Sequence, residues 1–341
     1  MAAPADDPSK SPRPMSPDQL LPPVEPPSAG FLVQLFLVPG LIVAIIVGVW
    51  LTFHWLAHLG QDPQAYVRTL RRDNEGRWQA ALNLANDLRG PGGAALKADT
   101  TLAGELGRIL EDESKSGRTG EQSQMLRVYL CRALGEFTIP EALAPLVSRA
   151  GDTSQPQVAR AAVEAIAVLS SNLTIAGTMP AGREVTDAIV AASRSDDAAV
   201  RSAAAFTLGV VGAKGTGPAD DRLQALLADA NDDVRYNTAL ALARLGDDDC
   251  LDTLEEMLSL PDEPPTNPEA RDDVAQSKRY KRALVVLNAL RGLALLVDST
   301  DAPLPEAILA KVKALAADPV SDVRAGVTAL DAKLARLTPA G

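Results

Sequence analysis

Val200-Arg201, in SDDAAVRSAAAFTLGVVG, recurs 34 residues later as Val234-Arg235 in NDDVRYNTALALARLGDDD, and this repetition restricts the possible folds more than any other property of the sequence. Superposing the two stretches pairs Ala204 with Thr238, Ala205 with Ala239, Leu208 with Leu242 and Gly212 with Gly246. The same beat returns more weakly around Arg77, Arg127 and Arg324. Two further units lack the arginine, one at Val158-Ala159 and one at Val285-Val286. Seven units result, at spacings of roughly 32 to 51 residues, a range in which each unit is one supersecondary block.

Each unit also carries a first helix ahead of the Val-Arg helix. PEALAPLVSRA, DRLQALLADA, CLDTLEEMLSL and PEAILAKVKALAAD place apolar residues at i, i+3, i+4 and i+7. Asp62-Pro63, Asn231-Asp232 and Asp318-Pro319 read as helix starts; Gly135, Gly212 and Gly246 read as C-terminal caps. With 46% hydrophobic but only 4% aromatic residues, the composition favours helices, because Ala and Leu lose little on entering one. A lone hairpin buries too little to offset its ordering entropy, so stability must come from stacking, with Ala204, Ala205 and Ala239 letting helices approach closely.

These residues resemble HEAT repeats, in particular the short bacterial type first associated with phycobilin lyases. The resemblance covers most of residues 63–337 and is strongest at 196–212 and 231–246, where the pattern D-x-V-R-x-x-A-A-x-x-L-G stands. It implies an all-α fold, a right-handed α-solenoid of about seven helical hairpins. It further implies an inter-repeat ladder of hydrogen bonds using Asp197 with Arg201 and Asp233 with Arg235, interrupted where Ala159 and Val286 replace the arginine. The family also includes iron-dependent hydroxylases with His-Glu metal ligands, and this chain has no histidine after His58.

Ahead of the repeats, residues 1–30 are rich in proline and poor in large apolar groups, which predicts a disordered tail. Residues 31–59 follow without a formal charge; about 20 apolar residues suffice to cross a bilayer, so a transmembrane helix is expected, with 41–59 as its minimum after Pro39-Gly40. The run is too long for a cleavable signal peptide, and no A-x-A site follows it. Arg68, Arg71, Arg72 and Arg77 after the span outweigh Lys10 and Arg13 before it. The positive-inside rule then predicts a single-pass protein of the cell (inner) membrane with residues 63–337 in the cytoplasm.

No catalytic, cofactor or metal site is expected. Nucleophilic mechanisms that need an imidazole find none in the body. His54 and His58 share a helix face at the membrane boundary beside Trp55, where polar and amphipathic residues are ordinary. Cys131 and Cys250 fall at core positions. Asp247-Asp248-Asp249 opens a helix, where acids interact favourably with the dipole. GAKGTGP at 212–218 lacks the Gly-Lys-Ser/Thr ending of a phosphate cradle. Asp152-Thr153-Ser154 matches an aspartic-protease tripeptide but sits in helical surroundings, and Asn172-Leu173-Thr174 is a sequon without meaning in a cytoplasmic body. A net charge of −11 argues against nucleic acid as a partner.

One stretch stands out as a partner-binding candidate. PDEPPTNPEARDDVAQSKRYKR contains the longest loop within a repeat, 261–270, and ends in Lys278, Arg279, Tyr280, Lys281 and Arg282. That basic cluster suits an acidic protein partner or an anionic membrane surface. The leading expectation is a membrane-anchored, non-catalytic scaffold or adaptor gripping another protein. The alternatives are a chromophore lyase or chaperone, by resemblance to the bilin-lyase repeats, and a structural spacer of the envelope.

Overall fold

The computed structural model describes residues 29–58, 63–72, 74, 76–152, 154–178, 182–212, 217–262 and 273–337. The proline-rich tail before residue 29, most of the 261–270 loop and residues 213–216 of the glycine-rich loop lie outside them. The described residues are helical with no strand, and the chain divides into two units, Met1–Gly60 and Gln61–Gly341.

The first unit contains one helix, α1 (Ala29–His58), with Pro39 inside it. Its stretch Val33–Phe53 is 21 residues long, strongly apolar and entirely unburied, a candidate membrane span by length and composition. Two helices of the second unit, described next, are also long and apolar enough, but much of their apolar surface is packed inside the fold.

The second unit is built of seven hairpins: α2 (Pro63–Arg71) with α3 (Arg77–Arg89), followed by the short α4 (Ala94–Lys97); α5 (Thr100–Lys115) with α6 (Glu121–Gly135); α7 (Leu143–Ala150) with α8 (Pro156–Ile175); α9 (Arg183–Ala192) with α10 (Ala198–Val211); α11 (Pro218–Leu226) with α12 (Asp232–Leu245); α13 (Leu251–Leu258) with α14 (Asp273–Thr300); and α15 (Glu306–Ala314) with α16 (Ser321–Leu337). The second helices form one layer in which α3, α6, α8, α10, α12, α14 and α16 each pack on the next, and the first helices form the other. The apolar core runs without a break from Val67 to Leu330, so each hairpin is completed by its neighbours, as a solenoid requires. This is the fold class expected from the repeat.

Local signals explain the boundaries. Asp197 caps α10 by accepting from Ala199 N and Val200 N, Asn231 caps α12 through Val234 N, and Asp99 caps α5 through Leu102 N. Gly246 closes α12 in the left-handed region at φ 76°, and Asp247 N donates to Leu242 O at 2.9 Å. Asp318 comes earlier than a helix start: its carboxylate accepts from Val320 N, and α16 begins at Ser321.

Gly135 is not a cap but the last residue of α6, packed so closely on α8 that an added Cβ would meet Ala165 Cα at 2.9 Å. Gly209 is tighter still, its absent Cβ falling 2.6 Å from Ala241 Cα where α10 crosses α12. Small residues set the distance between second helices, and Ala204, Ala205 and Ala239 are fully buried in the same seams.

Candidate functional site

Across the N-terminal halves of the second helices lies an open groove of about 720 Å³, lined by α8, α10, α12, the end of α13 and α14. Its floor is knitted together by polar side chains. Ser202 Oγ on α10 donates to Asp233 O at 3.1 Å, and Asn237 Nδ2 on α12 donates to Ser202 Oγ at 2.7 Å. Arg160 and Glu164 pair at 2.7 Å on the α8 wall, and Val285 and Asn288 of α14 form the opposite one. Phe206 stands 42% exposed in the groove, an unusual place for a large aromatic in a chain with so few. The exposed carboxylate of Asp233 makes no hydrogen bond or ion pair among the described residues. Tyr236 OH donates to Glu256 Oε1 at 3.1 Å; burial and then the Glu256 charge push its pKa up to about 12, so it stays a neutral donor.

This surface offers hydrogen-bonding groups of both kinds beside apolar contacts, the chemistry of polypeptide recognition. Its members escaped the sequence reading because each is an ordinary polar residue on the outward face of its helix. The one signal was register: Asp233 and Asn237 flank the buried Val234 and Thr238, and so had to point away from the core.

The basic cluster lies on the early turns of α14 and divides into two sets. Arg279 grips Asp262 with two hydrogen bonds, at 2.9 and 3.0 Å. Arg282 donates from Nε to Leu260 O at 2.9 Å, and its Nη1 lies 2.8 Å from Asp318 Oδ2, an ion pair without a directed hydrogen bond. Arg279 thus ties α14 to the turn of its own hairpin, and Arg282 joins the sixth hairpin to the seventh. Lys278, Tyr280 and Lys281 are exposed, Tyr280 by 66%. Lys281 and Leu284 precede Val285 and Asn288 by four residues each, so they continue the groove-lining face of α14 one turn further.

The inter-repeat ladder differs from the expected one in its acids. Arg201 makes a two-pronged pair with Asp229 of the next hairpin, at 2.8 and 2.9 Å, while Asp197 only caps its own helix. Arg235 reaches Glu256 on α13 at 2.8 Å, and Asp233 takes no part. Each arginine also satisfies carbonyls in its own hairpin turn: Arg201 those of Ser195 and Asp196, Arg235 that of Asp229, Arg324 that of Asp318. In the first hairpin Arg77 bonds Leu70 O and pairs with Glu113 at 2.8 Å. The expected interruption at Val286 does not occur. Arg282, one turn earlier on the unusually long α14, makes both kinds of contact in its place.

Several of the remaining motifs take part in local packing and hydrogen bonding. Both thiols are buried, and burial pushes each up to about 12, so neither is placed for adduct formation. Asp247 Oδ1 accepts from Asp249 N at 3.0 Å in a capping turn, although the three carboxylates lie close enough to be grouped. Asp152 accepts from Ser154 N and Oγ in a turn whose middle residue is outside the described set. Asn172 Nδ2 lies within 3.2–3.3 Å of the carbonyls of Gly135, Glu136 and Phe137, closing the end of α6. The imidazoles of His54 and His58 lie outside the described residues.

Residues 185–276 match the family model described as HEAT repeats. No curated protein sequence matches the chain. Among solved structures it is similar to human deoxyhypusine hydroxylase in complex with glycerol, at 21% identity and a TM-score of 0.32, covering 81% of this chain and 96% of that one. It is also similar to an engineered protein, at 18% identity and a TM-score of 0.38, covering 68% and 98%. A designed armadillo repeat protein in complex with the peptide (KR)4 is similar at 14% identity and a TM-score of 0.37, covering 81% and 100%.

Proposed function

We propose that this HEAT-repeat protein is a membrane-anchored, non-catalytic adaptor, held by Val33–Phe53 and binding a protein partner in the groove across α8, α10, α12 and α14. The observation that carries the reading is the groove itself. A second-helix surface with an exposed Phe206, an Asp233 carboxylate that makes no hydrogen bond or ion pair among the described residues, and half-buried amides at Asn237 and Asn288 offers polar and aromatic groups to solvent, where packing alone calls for neither. The exposed members of the α14 cluster, Lys278, Tyr280 and Lys281, extend that surface and supply charge for an acidic part of the partner, whereas Arg279 and Arg282 support the wall. The unburied apolar face of α1 supports the anchor, and the arginines at 68, 71, 72 and 77 support a cytoplasmic body at the inner membrane.

The test has two arms. Alkaline carbonate should leave the chain in the membrane pellet; release into the supernatant would remove the anchor. A photoreactive residue at Asn237 should crosslink a discrete protein in cells, while one at Arg183 on the first-helix layer should not. Equal crosslinking at both positions, or none at Asn237, would remove the groove.

A further inference from the structure

The first helices differ in charge along the array. α11 carries Asp220 and Asp221 against Arg222, and α13 carries Asp252, Glu255 and Glu256 with no basic residue. By contrast α2, PQAYVRTLR, has two arginines and no acid, and Arg72 follows it directly. Val67 and Leu70 are buried beneath α2, while Arg68, Arg71 and Arg72 are exposed. The neighbouring α5 carries more acids than bases, but its Arg108 joins this face: Arg71 and Arg108 both contact the single carboxylate of Glu105, Arg108 at 2.7 Å. Two guanidiniums sharing one carboxylate leave a net positive charge, and the pair are 60% and 72% exposed, so the side chains remain open to a second anion. The acids flanking α2 in sequence, Asp62, Asp73 and Glu75, lie outside the described residues.

We propose that this face, Arg68, Arg71 and Arg72 of the first hairpin with Arg108 of the second, seats the body on an anionic lipid surface. The inference rests on the reading of Val33–Phe53 as a membrane anchor. In sequence α2 follows α1 after four residues, so in an anchored chain it has the shortest tether to the headgroups. Juxtamembrane arginines gain from the negative surface potential of anionic lipid, and the acidic α11 and α13 are repelled by it.

The full chain is reconstituted in nanodiscs of phosphatidylcholine alone or with phosphatidylglycerol, carrying a neutral fluorophore on Gln64→Cys. Quenching by acrylamide, which is uncharged, is then compared. The expected result is at least a twofold lower quenching constant in the anionic discs, restored by high salt and by Arg68→Gln/Arg72→Gln, with a label at Lys313→Cys unaffected. Glu105→Gln, which unmasks a charge on the same face, should deepen the protection. Equal quenching in both lipids, or protection that survives Arg68→Gln/Arg72→Gln, would overturn the proposal. Release by carbonate, in contrast, would be the failure of the anchor and not of the face.

Discussion

Arg282 Nη1 and Asp318 Oδ2 lie 2.8 Å apart, joining the sixth hairpin to the seventh with side chains only 11% and 2% exposed. Removing one member leaves the other charged and buried, which costs about 3–5 kcal/mol. Arg282→Gln should therefore lower the unfolding midpoint strongly, whereas Lys281→Gln, at an exposed position of the same helix, should change stability by no more than about 0.5 kcal/mol. Urea unfolding followed by circular dichroism measures both. Equal stability of the Arg282 and Lys281 variants would contradict the assignment of Arg282 to the ladder.

Gly209→Ala and Gly104→Ala separate close packing from helix propensity. Both glycines are inside helices, where alanine is favoured by about 1 kcal/mol. An added Cβ at Gly104 meets nothing within 4 Å, so that variant should gain stability. At Gly209 it would collide with Ala241 backbone, and overpacking costs about 1–3 kcal/mol, so the net effect should be a loss. A stabilised Gly209→Ala would show that α10 and α12 stand further apart.

Acid should weaken the array through Asp229. Hydrogen bonds from Arg201 hold its carboxyl below the usual range, outweighing the upward effect of burial. The folded state therefore gives up this proton more readily than the unfolded state. Its contribution to stability is complete above the ordinary carboxylate value of about 4 and disappears as pH falls through the lower folded value. Asp229→Asn should be less stable than the parent at pH 7 and show a shallower stability slope below about pH 4. Identical slopes in the two proteins would assign acid sensitivity to other carboxylates.

Cys131 and Cys250 should be silent toward a thiol reagent at pH 8 in the folded protein and both react after denaturation, since burial removes access and disfavours the thiolate. Rapid labelling of either thiol without loss of helicity would show that its seam opens in the native state.

How much of this was legible in the sequence varies by residue. Leu242 and Val234 announced themselves by periodicity, because a helix can hide an apolar residue only on the face that repeats every three to four positions. The buried thiols followed from the same register. The role of Asp197 is not legible, because a carboxylate just ahead of a helix suits a cap and an ion pair equally well in sequence, and only the fold shows it capping α10. Arg282 was counted with Lys278 and Lys281, since adjacent basic residues differ in sequence only by the direction in which they leave the helix. The groove residues had no signature beyond pointing outward.

What is local and periodic can be read from the linear chain: helical hairpins, their number, their apolar faces and the long uncharged run ahead of them. Hydrophobic burial is read one helix at a time, so its pattern survives in one dimension. Which acid each arginine meets, and which polar residues gather into a groove, is set by the packing of the hairpins. Those choices depend on neighbours distant in sequence brought within 3 Å by stacking, as Arg77 meets Glu113, 36 residues on, and Arg235 meets Glu256, 21 residues on. A hydrogen bond loses its strength over a fraction of an ångström, so the linear order of residues leaves such a pairing open.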